Sequence, residues 1–388
     1  MDKQKQIRIL HVLGSVNPGG VETWLLHVLA DIDRDRFQFD FCLCGTQDGI
    51  YAGEVERLGG KILRCPKGAN LWSFRHRFRG ILREGNYDVI HSHVHFFSGA
   101  LLRWAKTEGV PLRIAHSHNA RDGRSDSQVR RRYRKVMRYW INRYATHALA
   151  ASELAAMELF GEKWRADKRI RILHYGLDLY PFQKPFDRGQ VRDELGIPFG
   201  APVIGHVGRF DEPKNHRFLL EIADAVLKRR PDVHFLLIGD GPLRAEIEVR
   251  ARQLGLSRKL HFVGIRTDVP RLMLAAMDLF LFPSLHEGLG LCLLEAQAAG
   301  LRCLVSDTVP AEVVRLPESV EFLALSAGKD CWSRKSIQSL GERRLESISV
   351  LSAETQSKFS MQRSLHHLMG LYSVSRGPVQ SVIAQQHV

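Results

Sequence analysis

The 388-residue sequence predicts an α/β protein made of two doubly wound parallel-sheet domains facing each other across a cleft. Three observations predict it. Short apolar runs alternate with amphipathic stretches of helical spacing along both halves. Several of those runs end in glycine-rich turns, where a parallel strand delivers side chains to a ligand. The alternation breaks at "DLYPFQKPFD", which carries two prolines and no clear period. The expected domains are residues 1–180 and 181–355. A helix at 356–376 is expected to pack back on the first domain, and 377–388 is read as a disordered tail.

In the first half, "IRILHVLG" is a strand leading through "SVNPGG" into a helix with Val21, Trp24, Leu25, Val28 and Leu29 on one stripe. Further strands are expected at "FQFDFCLC", "DVIHSH", "LRIAHSH" and "THALAAS". In the second half, "APVIGHVGRF" reads as a buried strand, and "FLLEIADAVL" as a helix with Phe218, Leu219, Ile222, Ala223, Val226 and Leu227 on one stripe. Strand "DVHFLLIGDGP" and a helix from about Leu243 to Leu254 follow. Then come strand "KLHFVG", helix "RLMLAAM", strand "LFLFPS", the helix after Gly290 and strand "RCLVSD". "KFSMQRSLHHLMGLYSV" is the last amphipathic helix.

A net charge of +14 favours acidic partners such as phosphorylated ligands or an anionic membrane. The six cysteines are scattered through apolar runs, which points to reduced core residues of a cytosolic protein. "MDKQKQIRILHVLG" lacks the pattern of a signal peptide. The longest apolar stretch, "LMLAAMDLFLFPSL", is broken by Asp278 and Pro283 and is too short to span a bilayer. Membrane contact is therefore expected to be peripheral. The arginine-dense run from Arg121 to Arg143, with interleaved aromatics, is the segment that would make it. A nucleic-acid role is set aside, and so is the nicotinamide class, because "NPGG" is not the dinucleotide fingerprint.

Arg209 and Lys214, in "HVGRFDEPKN", suit a diphosphate. In "HEGLGLCLLEAQAAG", Glu287 and Glu295 bracket a turn opening a helix at Gly290 and Leu291. A helix start attracts anions, so a carboxylate beside it needs another purpose. Gly19 and Gly20 would let backbone N–H groups approach a ligand. "HSHVH" and "HSHN" place His91, His93, His95, His116 and His118 near strand ends. No cysteine or carboxylate cluster accompanies them, so they are read as hydrogen-bonding or structural groups and no metal is expected.

Taken in order, "NPGG", "DVIHSH", "HYGLD", "GRFDEPKN", "IGDGP", "FVG" and "PSLHEGLGLCLLEAQAAG" resemble the retaining nucleotide-sugar glycosyltransferases of family 4, which have the GT-B fold. The match covers nearly the whole chain and looks most like the bacterial enzymes of exopolysaccharide, capsule and lipopolysaccharide assembly. The resemblance implies that the donor diphosphate lies against Gly19, Gly20, Arg209, Lys214, Gly290 and Leu291. It implies that Glu295 accepts the ribose hydroxyls, that Glu287 binds the transferred sugar, and that Gly264, Ile265 and Arg266 meet the base. His116 or His118 is the catalytic histidine, the register leaving both open. No cofactor or metal is implied beyond the donor. A glycan or lipid-linked acceptor at the inner membrane face completes the picture.

Two departures stand out: Tyr175 replaces the usual asparagine in "HYGLD", and Leu289 replaces a common phenylalanine. The alternatives are a nucleotide-sugar 2-epimerase of the same fold and a non-catalytic subunit that activates a partner. A glycosidase pairing of Glu287 and Glu295 explains neither the basic pair nor the two domains.

Overall fold

A computed structural model describes residues 5–68, 70–119, 127–342 and 359–376. The expected tail at 377–388 and the first residues of the arginine run, Arg121 to Asp126, lie outside them. The chain divides into two units, 1–176 with 361–388, and 177–360.

The first unit is a seven-stranded parallel sheet in the order β3-β2-β1-β4-β5-β6-β7. Its strands are β1 Ile7–Leu13, β2 Phe37–Leu43, β3 Lys61–Arg64, β4 Val89–Ser92, β5 Leu112–Ser117, β6 His147–Ala150 and β7 Ile170–Ile172. The second is a six-stranded parallel sheet in the order β10-β9-β8-β11-β12-β13. It comprises β8 Val203–Val207, β9 His234–Ile238, β10 Leu260–Phe262, β11 Leu279–Phe282, β12 Arg302–Ser306 and β13 Val320–Leu323. Strand–helix alternation drives this topology, because a parallel partner is reached only through a crossover.

Central strands are buried and mostly apolar because helices cover both faces: every residue of β9 and β11 is buried. Three strands escape the sequence pattern, namely β3, β7 and β13. All three are sheet edges, short and only partly buried, so no continuous apolar run marks them.

Asp278, which interrupts the long apolar stretch, has a structural task. Its Oδ2 accepts from the Val203 N–H at 2.8 Å and from the buried Arg192 at 2.8 Å, and Arg188 holds Oδ1. Arg192 also donates to the carbonyls of Phe199 and Ala201 at 2.6 Å. The two terminal nitrogens of this buried guanidinium are satisfied in this way, and the ion pair ties β8 to the start of β11.

The last helix, Met361–Ser373, packs against helix Gly20–Asp31 and β1 within the first unit. There Trp24 Nε1 donates to Ser364 Oγ at 2.9 Å. The arginine-rich segment forms helix Gln128–Tyr144, started by Ser127 Oγ, which accepts from the Arg130 N–H at 3.2 Å. Here the structure corrects the interfacial reading of its aromatics. Tyr133, Trp140 and Tyr144 pack on the core with Met137 and Ile141, and Tyr139 is left outside. Among the described residues no helix is long and apolar enough to cross a membrane.

Candidate active site

The second unit's candidates gather where its strand order reverses, between β8 and β11. Ligands of open α/β sheets bind beyond the carboxyl ends of strands at such a point. Arg209 follows β8 and is exposed, with Nε 3.9 Å from Asp211 Oδ2. Lys214 ends the short turn Glu212–Lys214, while Glu287, Gly290, Leu291 and Glu295 follow β11.

Lys214 Nζ donates to Glu287 Oε1 at 2.6 Å and lies 4.7 Å from the Phe282 ring centre. Burial opposes the ammonium charge, but the charge and hydrogen bond of Glu287 outweigh it and hold the lysine above its ordinary pKa. Glu295 differs. Burial lifts its carboxyl to about 7, with Lys214 pulling the other way. Burial likewise raises Asp211, against Lys214 and Arg209. The Cys292 thiol is pushed up to about 12 by burial, so it is no thiolate nucleophile.

Helix Leu291–Ala298 begins at Gly290, whose φ of 84° is left-handed and favours glycine. Its first turn exposes N–H groups beside the Lys214–Glu287 pair, so one cation, one carboxylate and a helix start share the place. Gly264, Ile265 and Arg266 follow β10 and are half-buried. The Arg266 guanidinium is committed to Asp268, with both contacts at 2.7 Å.

In the first unit Gly19 is extended, with φ −169°, a conformation open to any residue, and Gly20 opens helix Gly20–Asp31. A Cβ on Gly19 would fall 2.6 Å from Glu22 Oε2, the movable end of a flexible side chain, so neither space nor backbone conformation demands glycine there. His116 lies on β5 and His118 just beyond it, both buried, with ring centres 4.1 Å apart. The register ambiguity thus has a physical source: both rings occupy one patch.

Their surroundings were not read from the sequence. His118 Nδ1 meets the Tyr175 hydroxyl in a short hydrogen bond, so the departure at position 175 is a partner of the candidate histidine. His116 Nδ1 meets His91 Nε2 at 3.1 Å, and His91 Nδ1 meets the Tyr372 hydroxyl at 2.8 Å. His11, inside an apolar strand, joins through Nδ1 to His93 Nε2 at 3.0 Å. A polar residue in an otherwise apolar strand was the available signal, since β1 pairs with β4 and sets His11 beside His91.

The glycosyl transferase 4-like domain matches residues 19–176, and the glycosyl transferases group 1 family matches residues 201–331. A Bacillus subtilis (strain 168) protein named as a glycosyltransferase, EpsF, is 33% identical over 377 residues, covering 95% of this chain and 97% of its own. An Escherichia coli UDP-Gal:alpha-D-GlcNAc-diphosphoundecaprenol alpha-1,3-galactosyltransferase is 29% identical over 240 residues, 58% of this chain and 59% of that one. In fold, the chain is similar to Anabaena Alr3699/HepE, solved in complex with UDP and glucose. The TM-score is 0.78 at 20% identity, over 95% of this chain and 100% of that one. The chain therefore belongs to the group 1, 4-like glycosyltransferases, and its two Rossmann-like domains are those of the GT-B fold.

Proposed function

We propose that this glycosyltransferase moves a sugar from a nucleoside-diphosphate sugar to a lipid-linked glycan acceptor in surface polysaccharide assembly. Anomeric configuration is retained and no cofactor beyond the donor is used. The observation that carries the reading is the Lys214–Glu287 pair at the start of helix Leu291–Ala298, with Glu295 one turn on and Arg209 exposed nearby. Cations and a helix start take the diphosphate as it departs, a stabilisation that grows with charge on the leaving group. Glu287, oriented by its hydrogen bond from Lys214, accepts hydroxyls of the transferred sugar. Glu295 accepts the ribose hydroxyls, which supply O–H donors to its half-buried carboxylate. The acceptor hydroxyl attacks the anomeric carbon from the face the diphosphate leaves, and the diphosphate takes its proton. His116 or His118 serves as a hydrogen-bonding group toward the sugar.

The Escherichia coli relative's name describes transfer to a sugar on diphosphoundecaprenol, and the Anabaena protein was solved with UDP and glucose. Both support the donor class, and the former supports the lipid-linked acceptor. Helix Gln128–Tyr144 supports peripheral docking at the cytoplasmic face of an anionic membrane, since Arg132, Lys135, Val136, Tyr139 and Arg143 share its exposed side.

Arg209→Ala is the cleanest test, because the side chain is exposed and its contact with Asp211, at 3.9 Å, is a loose one. The donor kcat/KM is expected to fall about 100-fold or more, as when one leaving-group contact worth about 2.7–4 kcal/mol is removed. The melting temperature should not move. Unchanged turnover with donor limiting would remove Arg209 from the site. Proton NMR of the product tests stereochemistry, and an inverted anomeric linkage would overturn retention.

A further inference from the structure

In the proposed transfer, each charged group assembled beyond β8 and β11 has a ligand except Asp211. Arg209 and Lys214 take the diphosphate, Glu287 takes sugar hydroxyls and Glu295 takes the ribose. Asp211 lies between the two cations in the sequence and adds a carboxylate to a place that receives an anion. A like charge at such range opposes the ligand, so the residue needs a reason to be there.

Stability does not account for it. Asp211 precedes the short turn Glu212–Lys214, yet its side chain makes no capping bond to that turn. Its Oδ2 lies 3.9 Å from Arg209 Nε, too far for a hydrogen bond. Its Oδ1 is buried and has no hydrogen-bond partner among the described residues. A buried acceptor left unmet costs the folded state free energy.

Nor is the carboxylate carried aside by its backbone. The turn is fastened to the segment after β11, where the Leu285 N–H donates to the Pro213 carbonyl at 2.8 Å. Asn215 Nδ2 donates to the Pro283 carbonyl at 3.0 Å and secures the other end. Lys214, which closes the same turn, is held by Glu287 at 2.6 Å. Asp211 therefore stays within the field of the site. Burial raises its carboxyl, Lys214 and Arg209 pull it down, and the like charge of Glu287 pushes it up.

Arg209 and Lys214 thus face Asp211 and Glu287, two cations against two carboxylates, before any donor arrives. An incoming diphosphate competes with Asp211 for both cations. The competition is uneven along the reaction. Each phosphate of the donor is bonded on two sides and carries a single charge. Cleavage leaves a terminal phosphate, which gains a further negative charge near neutral pH once the acceptor's proton has passed to solvent. Asp211 accordingly repels the departed nucleoside diphosphate more than the donor. We propose that Asp211 is the residue that hastens product release, its carboxylate contending with the nucleoside diphosphate for Arg209 and Lys214. Release of product sets the turnover of many enzymes, so a group that shortens its stay has a use. This role rests on the proposed transfer, since it needs the diphosphate beside those two cations.

The test is calorimetric titration of the full-length protein with UDP, GDP and ADP at pH 8 in EDTA. The dissociation rate of whichever binds is then read by stopped-flow displacement of its fluorescent analogue. Asp211→Asn keeps the shape and removes the charge. It should bind the nucleoside diphosphate about 10-fold more tightly than the parent, a gain that shrinks in high salt. The gain should appear as slower dissociation, by about the same factor. Asp211→Ser also lacks the charge and should behave alike, which covers a folding defect in the asparagine variant. Glu212→Gln is the control, because this neighbouring carboxylate is exposed and accepts from Arg217 at 2.9 Å. It should leave affinity unchanged. A parent that binds a nucleoside diphosphate, beside folded Asp211 variants of equal or weaker affinity, overturns this proposal and leaves the transfer standing. Tighter binding with an unchanged dissociation rate overturns it too, as does equal tightening by Glu212→Gln. A parent that binds none of the three nucleotides overturns the transfer and this role together.

Discussion

At the scale of single residues, Glu295 is the most informative group, because burial sets its carboxyl near neutrality. Its ordinary value is 4.5 and its folded value about 7. A group raised on folding contributes stability below its unfolded value, and that contribution is lost as pH rises through the folded one. Between those values the native state loses up to about 3 kcal/mol, less whatever the half-buried side chain recovers from solvent. Glu295→Gln, which cannot ionise, should therefore melt higher than the parent above about pH 8 and no higher below about pH 4. The ribose hydroxyls favour the ionised carboxylate, so the parent's donor KM should fall as pH rises toward 7 and then level. The Gln variant should have a higher, flat KM. A parent KM that does not change across that window would remove Glu295 from the ribose. Lys214 is a poorer probe, because its removal strands the buried Glu287 and confounds activity with stability.

At the scale of elements, what the sequence revealed follows burial. Strands covered on both faces announced themselves as apolar runs, and the turns after β8 and β11 carried the charged residues where a parallel sheet delivers them. The edge strands β3, β7 and β13 did not, since a short half-exposed strand resembles a loop in composition. The site was legible where a motif is local, as for Lys214, Glu287 and the Gly290 turn. It was illegible where partners come from distant segments. Nothing near "LHVL" or "GLYS" says that His11 and Tyr372 meet the histidines of β4 and β5; only strand order does. Helix Gln128–Tyr144 shows the converse error, because aromatics at helical spacing fit a core face and a membrane face equally well. Its outward charges Arg132, Lys135 and Arg143 now define the test. Replacing all three with Gln should weaken binding to phosphatidylserine vesicles by about 1 kcal/mol per charge, with the melting temperature nearly unchanged. Cosedimentation equal to the parent's at low salt would leave this helix as a solvated face.

At the scale of the whole molecule, the two units differ in how the chain builds them. The second is one continuous segment, 177–360, and holds Arg209, Lys214, Glu287 and Glu295 together. The first is discontinuous: the chain leaves it after Gly176 and returns at Met361. The return is tight, since a Cβ on Gly176 would lie 2.4 Å from Met361 Cα. Helix Met361–Ser373 then supplies Ser364 to Trp24 and Tyr372 to His91, closing over residues that are otherwise core. A fragment of residues 1–176 would expose that surface and leave the Trp24 indole N–H without its bond. It should be insoluble or molten, whereas 177–360 should fold alone with a cooperative melt. If the donor's diphosphate is held mainly by the second unit, the isolated 177–360 fragment should be stabilised by a nucleoside diphosphate in EDTA. The shift would correspond to about 2.7 kcal/mol at a ligand concentration 100 times its dissociation constant. A folded 177–360 that no nucleoside diphosphate stabilises, beside a full-length chain that one does, would show that residues of the first unit are needed to hold the donor. Gly19 and Gly20 would then be the first positions to substitute.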